Sequence, residues 1–303
     1  MRVLVAPGQG AQRPGMLAPW LGAPGARELL EHWSELIDLD LIEHGVHSPA
    51  AAIQDTSIAQ PLLTAAALIS FGAVEAPFDL VAGHSVGEFA AAAIIGVISQ
   101  DDALRAVATR GRAMAECAAA APSGLAAVVG GAPDQVLAAI AAAGAAPANF
   151  NGPGQIVAGG PVEALDRLAA KPPARARVVR LDVAGAFHTP AMAAAEPALR
   201  AAFRGVRVAD AQAPFVSNRD GLALTNGHHI VEAMIQQVTR PVRWDLVLER
   251  CAASGAARHL ELAPAGVLTG LAKRGLRGAA LEQALPPATA PQATAPQTTG
   301  AAL

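Results

Sequence analysis

Apolar positions along the chain fall into short continuous runs alternating with longer stretches at helical spacing. Arg2 to Ala6 is rich in valine and bounded by Pro7-Gly8, the pattern of a buried strand. Gln60 to Gly72 is alanine-rich and predicts a helix opening near Pro61. Phe78 to Ala82 predicts a second short strand, followed at once by Gly83-His84-Ser85-Val86-Gly87. From Glu88 the run Phe-Ala-Ala-Ala-Ala-Ile-Ile predicts a buried helix. Ser99-Gln100-Asp101-Asp102 starts another, with a serine cap and an acid three residues on, and it runs to about Ala120. Strands alternating with helices predict an α/β fold with a mostly parallel sheet.

Pro122-Ser123-Gly124 interrupts that alternation. Beyond it the pattern reads strand (125–129), helix (134–143), strand (148–151), strand (155–158), helix (162–170), strand (177–183). This β-α-β-β-α-β order is the ferredoxin-like motif, so residues 124–183 are predicted to form an inserted small domain. The large domain then comprises residues 1–123 and 184–282. Residues 283–303 repeat Ala, Pro, Thr and Gln and predict a disordered tail.

Composition narrows the class. With 52% hydrophobic and 16% charged residues the bulk is globular, and a net charge of -3 argues against a general nucleic-acid footprint. Cys117 and Cys251, the only cysteines, lie far apart, which suggests no disulfide framework. The N-terminus turns to Gly and Gln too early for a signal peptide, and runs such as Phe89 to Ile98 are too short to span a bilayer. A soluble, cytoplasmic protein is expected.

Gly83-His84-Ser85-Val86-Gly87 is a G-x-S-x-G elbow with a strand before it and a helix after it. The turn is sharp, and a Cβ at either glycine would meet neighbouring backbone. Ser85 is therefore the candidate nucleophile, at a helix N-terminus whose free N–H groups favour a developing oxyanion. A serine nucleophile needs a base. His84 adjoins it but should point away. His228 and His229 sit in an Asn-Gly turn, and His259 precedes a core segment. His188 follows the last small-domain strand, where the chain returns to the large domain and a cleft would form.

Ile230 to Val238 has helical spacing and is stopped by Pro241, which has no N–H. The carbonyl of Gln237 thus loses its expected donor, and either a histidine Nδ1–H or water could take it. On the helix from Ser99, Arg105, Thr109, Arg112 and Glu116 form a solvated stripe. Ala103, Val107, Arg110 and Met114 form an apolar one, so Arg110 points inward. A buried acid or a substrate carboxylate could be its partner.

Together these segments resemble the malonyl-CoA:acyl carrier protein transacylases and the related acyltransferase domains of polyketide and fatty acid synthases. The resemblance runs to about residue 280. It is carried by Pro7-Gly8-Gln9-Gly10-Ala11-Gln12, Gln60-Pro61, Gly83-His84-Ser85-Val86-Gly87-Glu88, Arg110-Gly111 and Asn149-Phe150-Asn151-Gly152-Pro153-Gly154-Gln155. Gly185-Ala186-Phe187-His188, Gln237 ahead of Arg240-Pro241-Val242-Arg243-Trp244, and Glu261-Leu262-Ala263-Pro264 complete it.

The resemblance implies an α/β-hydrolase-like core with a ferredoxin-like small domain. It implies that Ser85 is acylated, that His188 is its base, and that the Gln237 carbonyl orients His188. The backbone N–H groups of Gln9 and Val86 would form the oxyanion hole. Arg110 would pair with the malonyl carboxylate, and Phe187 would crowd a methylmalonyl group. Malonyl-CoA and acyl carrier protein are the implied partners of a monomeric enzyme that needs no metal or redox cofactor.

A serine hydrolase is the rival reading, since Asp166 and Asp182 precede His188 in the order such enzymes use. A dinucleotide site fails because Arg13 occupies the last glycine position after Gly8-Gln9-Gly10. Two basic clusters, Arg175, Arg177 and Arg180 and Lys273, Arg274 and Arg277, are candidates for docking an acidic carrier or plain solvated faces.

Overall fold

The valine run at the start forms strand β1 (Arg2–Ala6), with every residue after Arg2 buried. The computed structural model describes residues 1–75, 77–183 and 185–287. After β1 come helices α1 (Ala26–Ile37) and α2 (Thr56–Phe71), strand β2 (Leu80–Gly83), and helices α3 (Gly87–Ile94) and α4 (Gln100–Ala120). Helix α2 begins earlier than its sequence suggests, and Pro61 lies inside it. The reason is Asp55, whose side chain accepts the Ser57 N–H and caps the helix there. Proline then deprives only the Ser57 carbonyl of its partner, near an end that is already capped. Helix α4 starts as expected, with the Ser99 hydroxyl accepting the Asp102 N–H at 3.0 Å.

The middle of the chain builds a second layer from β3 (Ser123–Gly130), α5 (Pro133–Ala142), β4 (Ala146–Phe150), β5 (Gln155–Pro161), α6 (Val162–Ala170) and β6 (Ala176–Arg180). The predicted β-α-β-β-α-β order is present. The helix at 162–170 falls where expected, and the other boundaries shift by at most three residues, because strand ends are set by pairing partners rather than by local composition.

The chain then forms α7 (Ala195–Ala202), β7 (Phe215–Val216), β8 (Ala223–Leu224), α8 (Gly227–Gln236), β9 (Val242–Arg243), α9 (Trp244–Ala253), β10 (Arg258–Glu261), α10 (Val267–Gly275) and β11 (Ala280–Gln283). Gln283, where the sequence predicts the tail to begin, closes β11 beside β10, and the next N–H bonds the Glu261 carbonyl at 2.8 Å. The rest of the predicted tail, from residue 288, lies outside the described residues.

The larger sheet has the order β11-β10-β1-β2-β7-β8, parallel except for β8. The smaller sheet has the order β6-β3-β5-β4-β9, with β9 joining β4 in parallel through Asn149↔Val242 and Phe150↔Arg243. Strand β9 is thus contributed to the small sheet by a segment lying outside the predicted small domain. The fold is mixed α/β. One hydrophobic core lies between the larger sheet and helices α1 to α4, and a second lies on its other face under α9 and α10. No helix among the described residues is long and apolar enough to cross a membrane.

Candidate active site

In β1, β2 and β7 the parallel register brings three carboxyl ends side by side, with Ala6 opposite Gly83 and Ala82 opposite Val216. Loops leaving that edge carry Gln9, Ser85 and Asn218 respectively. This is where parallel α/β sheets place their ligands.

The turn at Ser85 is as tight as its glycines imply. A Cβ on Gly83 would lie 2.1 Å from the Gly87 carbonyl carbon, and one on Gly87 would lie 2.2 Å from the Ala6 carbonyl oxygen. Ser85 takes φ 53°, the strained left-handed conformation of a nucleophile elbow. Asn218 holds the turn: its Oδ1 accepts the Ser85 N–H at 2.8 Å, and its Nδ2 donates to the Gly83 carbonyl at 2.6 Å.

Ser85 Oγ lies 2.7 Å from His188 Nε2. His188 Nδ1–H donates to the Gln237 carbonyl at 2.9 Å, which leaves Nε2 unprotonated and facing the hydroxyl. Helix α8 ends in a 3-10 turn, and the Arg240 N–H reaches the same carbonyl at 3.2 Å. Gln237 O is therefore not the orphan acceptor expected from Pro241. It holds the backbone donor on one lone pair and the imidazole on the other. Burial lowers the His188 pKa to about 3, the charge of Arg110 pushes the same way, and the Gln237 carbonyl opposes them. A neutral imidazole at 2.7 Å can take the hydroxyl proton.

Arg110 is buried, as its stripe predicts, at 1% exposure. Gly111 makes this possible, because a Cβ there would stand 2.7 Å from the Thr56 carbonyl oxygen and push α4 off α2. Nη1 donates to Gln60 Oε1 at 2.6 Å, and Nη2 donates to Gln237 Oε1 at 2.9 Å and to Ser85 Oγ at 3.3 Å. The guanidinium carbon sits 5.7 Å from the Phe89 ring centre. All these acceptors are neutral, and no carboxylate among the described residues forms an ion pair with Arg110. Burial lowers its pKa to about 10, partly offset by the charge of Glu88. A buried cation beside the serine with only neutral hydrogen-bond partners has the chemistry to accept an anion.

Gln9 and Val86 donate their N–H groups to no acceptor among the described residues. The Gln9 loop is anchored through its side chain: Gln60 Nε2 donates to Thr56 Oγ1 at 2.7 Å, and Thr56 donates to Gln9 Oε1 at 2.9 Å. Phe187, with Gln9, Ser85, Arg110, Met114 and His188, lines a cavity of about 380 Å³. Every predicted site residue thus lines this cavity except Val86, which follows Ser85 in the chain, and Gln237, which bonds Arg110 and His188.

Of the other histidines, His84 also lines the cavity, but its ring is engaged away from the Ser85 hydroxyl. His84 Nε2 bonds Asn151 Oδ1 at 3.1 Å, and the ring stands edge-on to Trp244. His228 and His229 are exposed but belong to the first turn of α8, because the Asn226 side chain caps a helix there instead of closing a turn. His259 is fully buried, with neither ring nitrogen hydrogen-bonded. Of the basic clusters, Arg180 faces Asp166 at 3.7 Å, while Lys273 and Arg274 occupy the last turn of α10, where cations complement a helix end.

Sequence reasoning gave no role to Gln60, Glu88 or Asn218. Gln60 and Glu88 carried a signal as polar groups inside apolar runs. Asn218 carried none, since only the register of β7 against β2 brings it to the elbow.

A profile of the acyl transferase domain matches residues 3–299. The curated malonyl CoA-acyl carrier protein transacylase of Mycobacterium tuberculosis is 46% identical over 294 residues, covering 95% of this chain and 97% of that protein. A crystal structure of the transacylase from Mycobacterium tuberculosis superposes with a TM-score of 0.90 at 46% identity, over 93% of this chain and 96% of that one. A malonyl-transacylase solved in complex with its type II polyketide acyl-carrier protein gives a TM-score of 0.88 at 30% identity, over 93% and 95%. With these likenesses spanning nearly its whole length, the chain belongs to the acyl transferase domain family, among the malonyl CoA-acyl carrier protein transacylases.

Proposed function

We propose that the chain moves a malonyl group from malonyl-CoA to the phosphopantetheine thiol of an acyl carrier protein, supplying fatty acid or polyketide synthesis. The observation that carries this is the pairing of a serine 2.7 Å from a neutral imidazole with a buried arginine that lacks an anionic partner. In this reading His188 Nε2 accepts the Ser85 proton as Oγ attacks the thioester carbon. The carbonyl electrons move onto oxygen, held by the N–H groups of Gln9 and Val86, each worth on the order of 3 kcal/mol. Collapse expels the coenzyme A sulfur, which takes the proton back from His188 and leaves malonyl-Ser85. The carrier thiol then gives its proton to His188, attacks the ester, and Ser85 leaves reprotonated. No step calls for a metal or a redox cofactor.

Arg110 grips the free carboxylate, and Phe187 crowds a substituent on the malonyl α-carbon. The Gly185 backbone supports that ring, since a Cβ there would stand 2.8 Å from it. We read the larger sheet and its helices, residues 1–123 and 184–282, as an α/β-hydrolase-like core. Its parallel order and strand-elbow-helix unit support this. Residues 124–183 read as a ferredoxin-like small domain, supported by the order β6-β3-β5-β4. We read the protein as a monomer, since the site has its serine, imidazole, arginine and two free N–H groups without a second copy. Two unpaired cysteines suit the reducing cytoplasm.

Intact mass after mixing with malonyl-CoA tests the reading. A malonyl adduct on wild type, absent from Ser85→Ala and discharged by holo acyl carrier protein faster than by water, is the expected result. Discharge by water at the same rate would make the protein a hydrolase.

A further inference from the structure

Glu88 is fully enclosed beside the elbow, and no chemical step above uses it. Its two oxygens face different donors. Oε1 accepts the Asn218 N–H at 2.7 Å, and Oε2 accepts Gln237 Nε2–H at 2.5 Å. Burial raises the Glu88 pKa to about 8 against the opposing pull of the Asn218 N–H, the Arg110 charge and the Gln237 amide, yet each oxygen meets a donor, the geometry of an ionised carboxylate. A proton on either oxygen would have to compete with one of these bonds.

The Gln237 amide is the piece this arrangement controls. An amide presents an oxygen at one side and NH2 at the other, and half a turn exchanges them. Here the NH2 points to Glu88 and to the Ser85 carbonyl, the latter at 3.1 Å, so the oxygen points to Arg110. We propose that Glu88 is a positioning residue that sets malonyl-over-acetyl selectivity by locking the Gln237 amide with its oxygen toward Arg110. This rests on the reading of Arg110 as the partner of the malonyl carboxylate.

Glutamine at position 88 would keep the size and lose the lock. It offers one oxygen and one NH2. The Asn218 N–H is fixed by the elbow, because the Asn218 side chain is already committed to Ser85 and Gly83. That donor takes the oxygen, and the new NH2 faces the NH2 of Gln237. Gln237 then either keeps its NH2 against another NH2 or turns over, which sets its NH2 against the guanidinium and its oxygen against the Ser85 carbonyl; in neither case is the amide held firmly. Arg110 keeps Gln60 Oε1 while its other amide partner is loosened, so the plane of its fork is less firmly fixed. The backbone carbonyl of Gln237, which orients His188, is untouched. The loss therefore falls chiefly on the substrate that has a carboxylate.

The test measures kcat/KM for malonyl-CoA and for acetyl-CoA, with holo acyl carrier protein as acceptor. Wild type, Glu88→Gln, Arg110→Ala and the double variant are compared, each checked by thermal unfolding. Glu88→Gln is expected to lower the malonyl-to-acetyl ratio about tenfold, by loss of a charge-assisted hydrogen bond. Arg110→Ala lowers it at least as far. The double variant should match Arg110→Ala alone, because the lock then has nothing to hold.

A Glu88→Gln protein whose ratio stays at the wild-type value while Arg110→Ala collapses it overturns the inference and leaves the proposed function standing. Losses in the ratio that add in the double variant overturn it too. If Arg110→Ala itself preserves the ratio, the carboxylate reading fails and takes this inference with it. Should Glu88→Gln not fold, Gln237→Met approaches the same contact from the other end and keeps the backbone carbonyl. An unchanged ratio there is equally fatal.

Discussion

The environment of His188 makes the pH dependence of acylation a sharp test of the mechanism. An imidazole in water gains its proton near pH 6.5, whereas burial and the neighbouring Arg110 charge carry this one down to about 3. At pH 5 an ordinary imidazole is about 3% neutral, and a base titrating near 3 is about 99% neutral. A conventional histidine would thus slow acylation about 30-fold between pH 7.5 and 5, while this site should lose less than about twofold. The assay is single-turnover acylation by malonyl-CoA at low substrate, by rapid quench and intact mass, so that the rate reports the free enzyme. The pH is changed by rapid mixing, because the same shift has a cost in stability. A group whose pKa is depressed by folding supports the native state above its unfolded value and withdraws that support as pH falls through the window below 6.5. Arg110→Ala should move the acid limb upward, yet leave it below the ordinary value, since burial is the larger cause. A wild-type limb at 6.5 or above, on protein still folded, would refute the claim that His188 works as an enclosed neutral base.

Other outcomes follow from the same geometry. Arg110→Ala should cut malonyl transfer tenfold or more while sparing acetyl transfer, a loss of roughly 1.5–3 kcal/mol; Arg110→Lys, keeping charge without the fork, should fall between, read as kcat/KM on both thioesters. Gly83→Ala sets a methyl 2.1 to 2.3 Å from backbone atoms of Gly87 and Glu88. It should abolish acylation and cost about 3 kcal/mol or more in denaturant unfolding. His259→Leu removes a buried ring with both nitrogens unpartnered. It should raise the melting temperature, reflecting about 1–3 kcal/mol of unsatisfied polar burial. The gain should be larger at pH 5 than at pH 7.5, because burial lowers the His259 pKa and wild type loses stability below 6.5.

Where local chemistry decides, the sequence alone was a good guide. Ser99 and Asp102 announced the start of α4, and the paired glycines around Ser85 announced the elbow. The inward side of Arg110 could be read from helical spacing, because three- and four-residue steps fix which stripe a residue joins. What stayed hidden depends on register between distant strands. Asn218 reaches Ser85 only because β7 pairs with β2, and a two-residue strand leaves almost no pattern to read. The start of α2 was misplaced because proline is a louder signal than the aspartate cap six residues before it. Pro241 removes the α-helical donor to the Gln237 carbonyl, and the histidine of the two alternatives takes it, but the backbone donor one residue earlier was not legible because a 3-10 turn leaves no mark in the sequence.

The short strand β9 joins the smaller sheet only a few residues after Gln237. The smaller layer is therefore stitched to the larger one at three places along the chain, and one stitch runs straight into the peptide that steers the imidazole. Movement of such a layer would pull on the peptide whose carbonyl accepts the His188 Nδ1–H. The cavity beside Ser85 is walled on its far side by Leu125, Asn149, Asn151 and Val157 of that layer, so the same stitch that carries the Gln237 peptide also sets the width of the cavity.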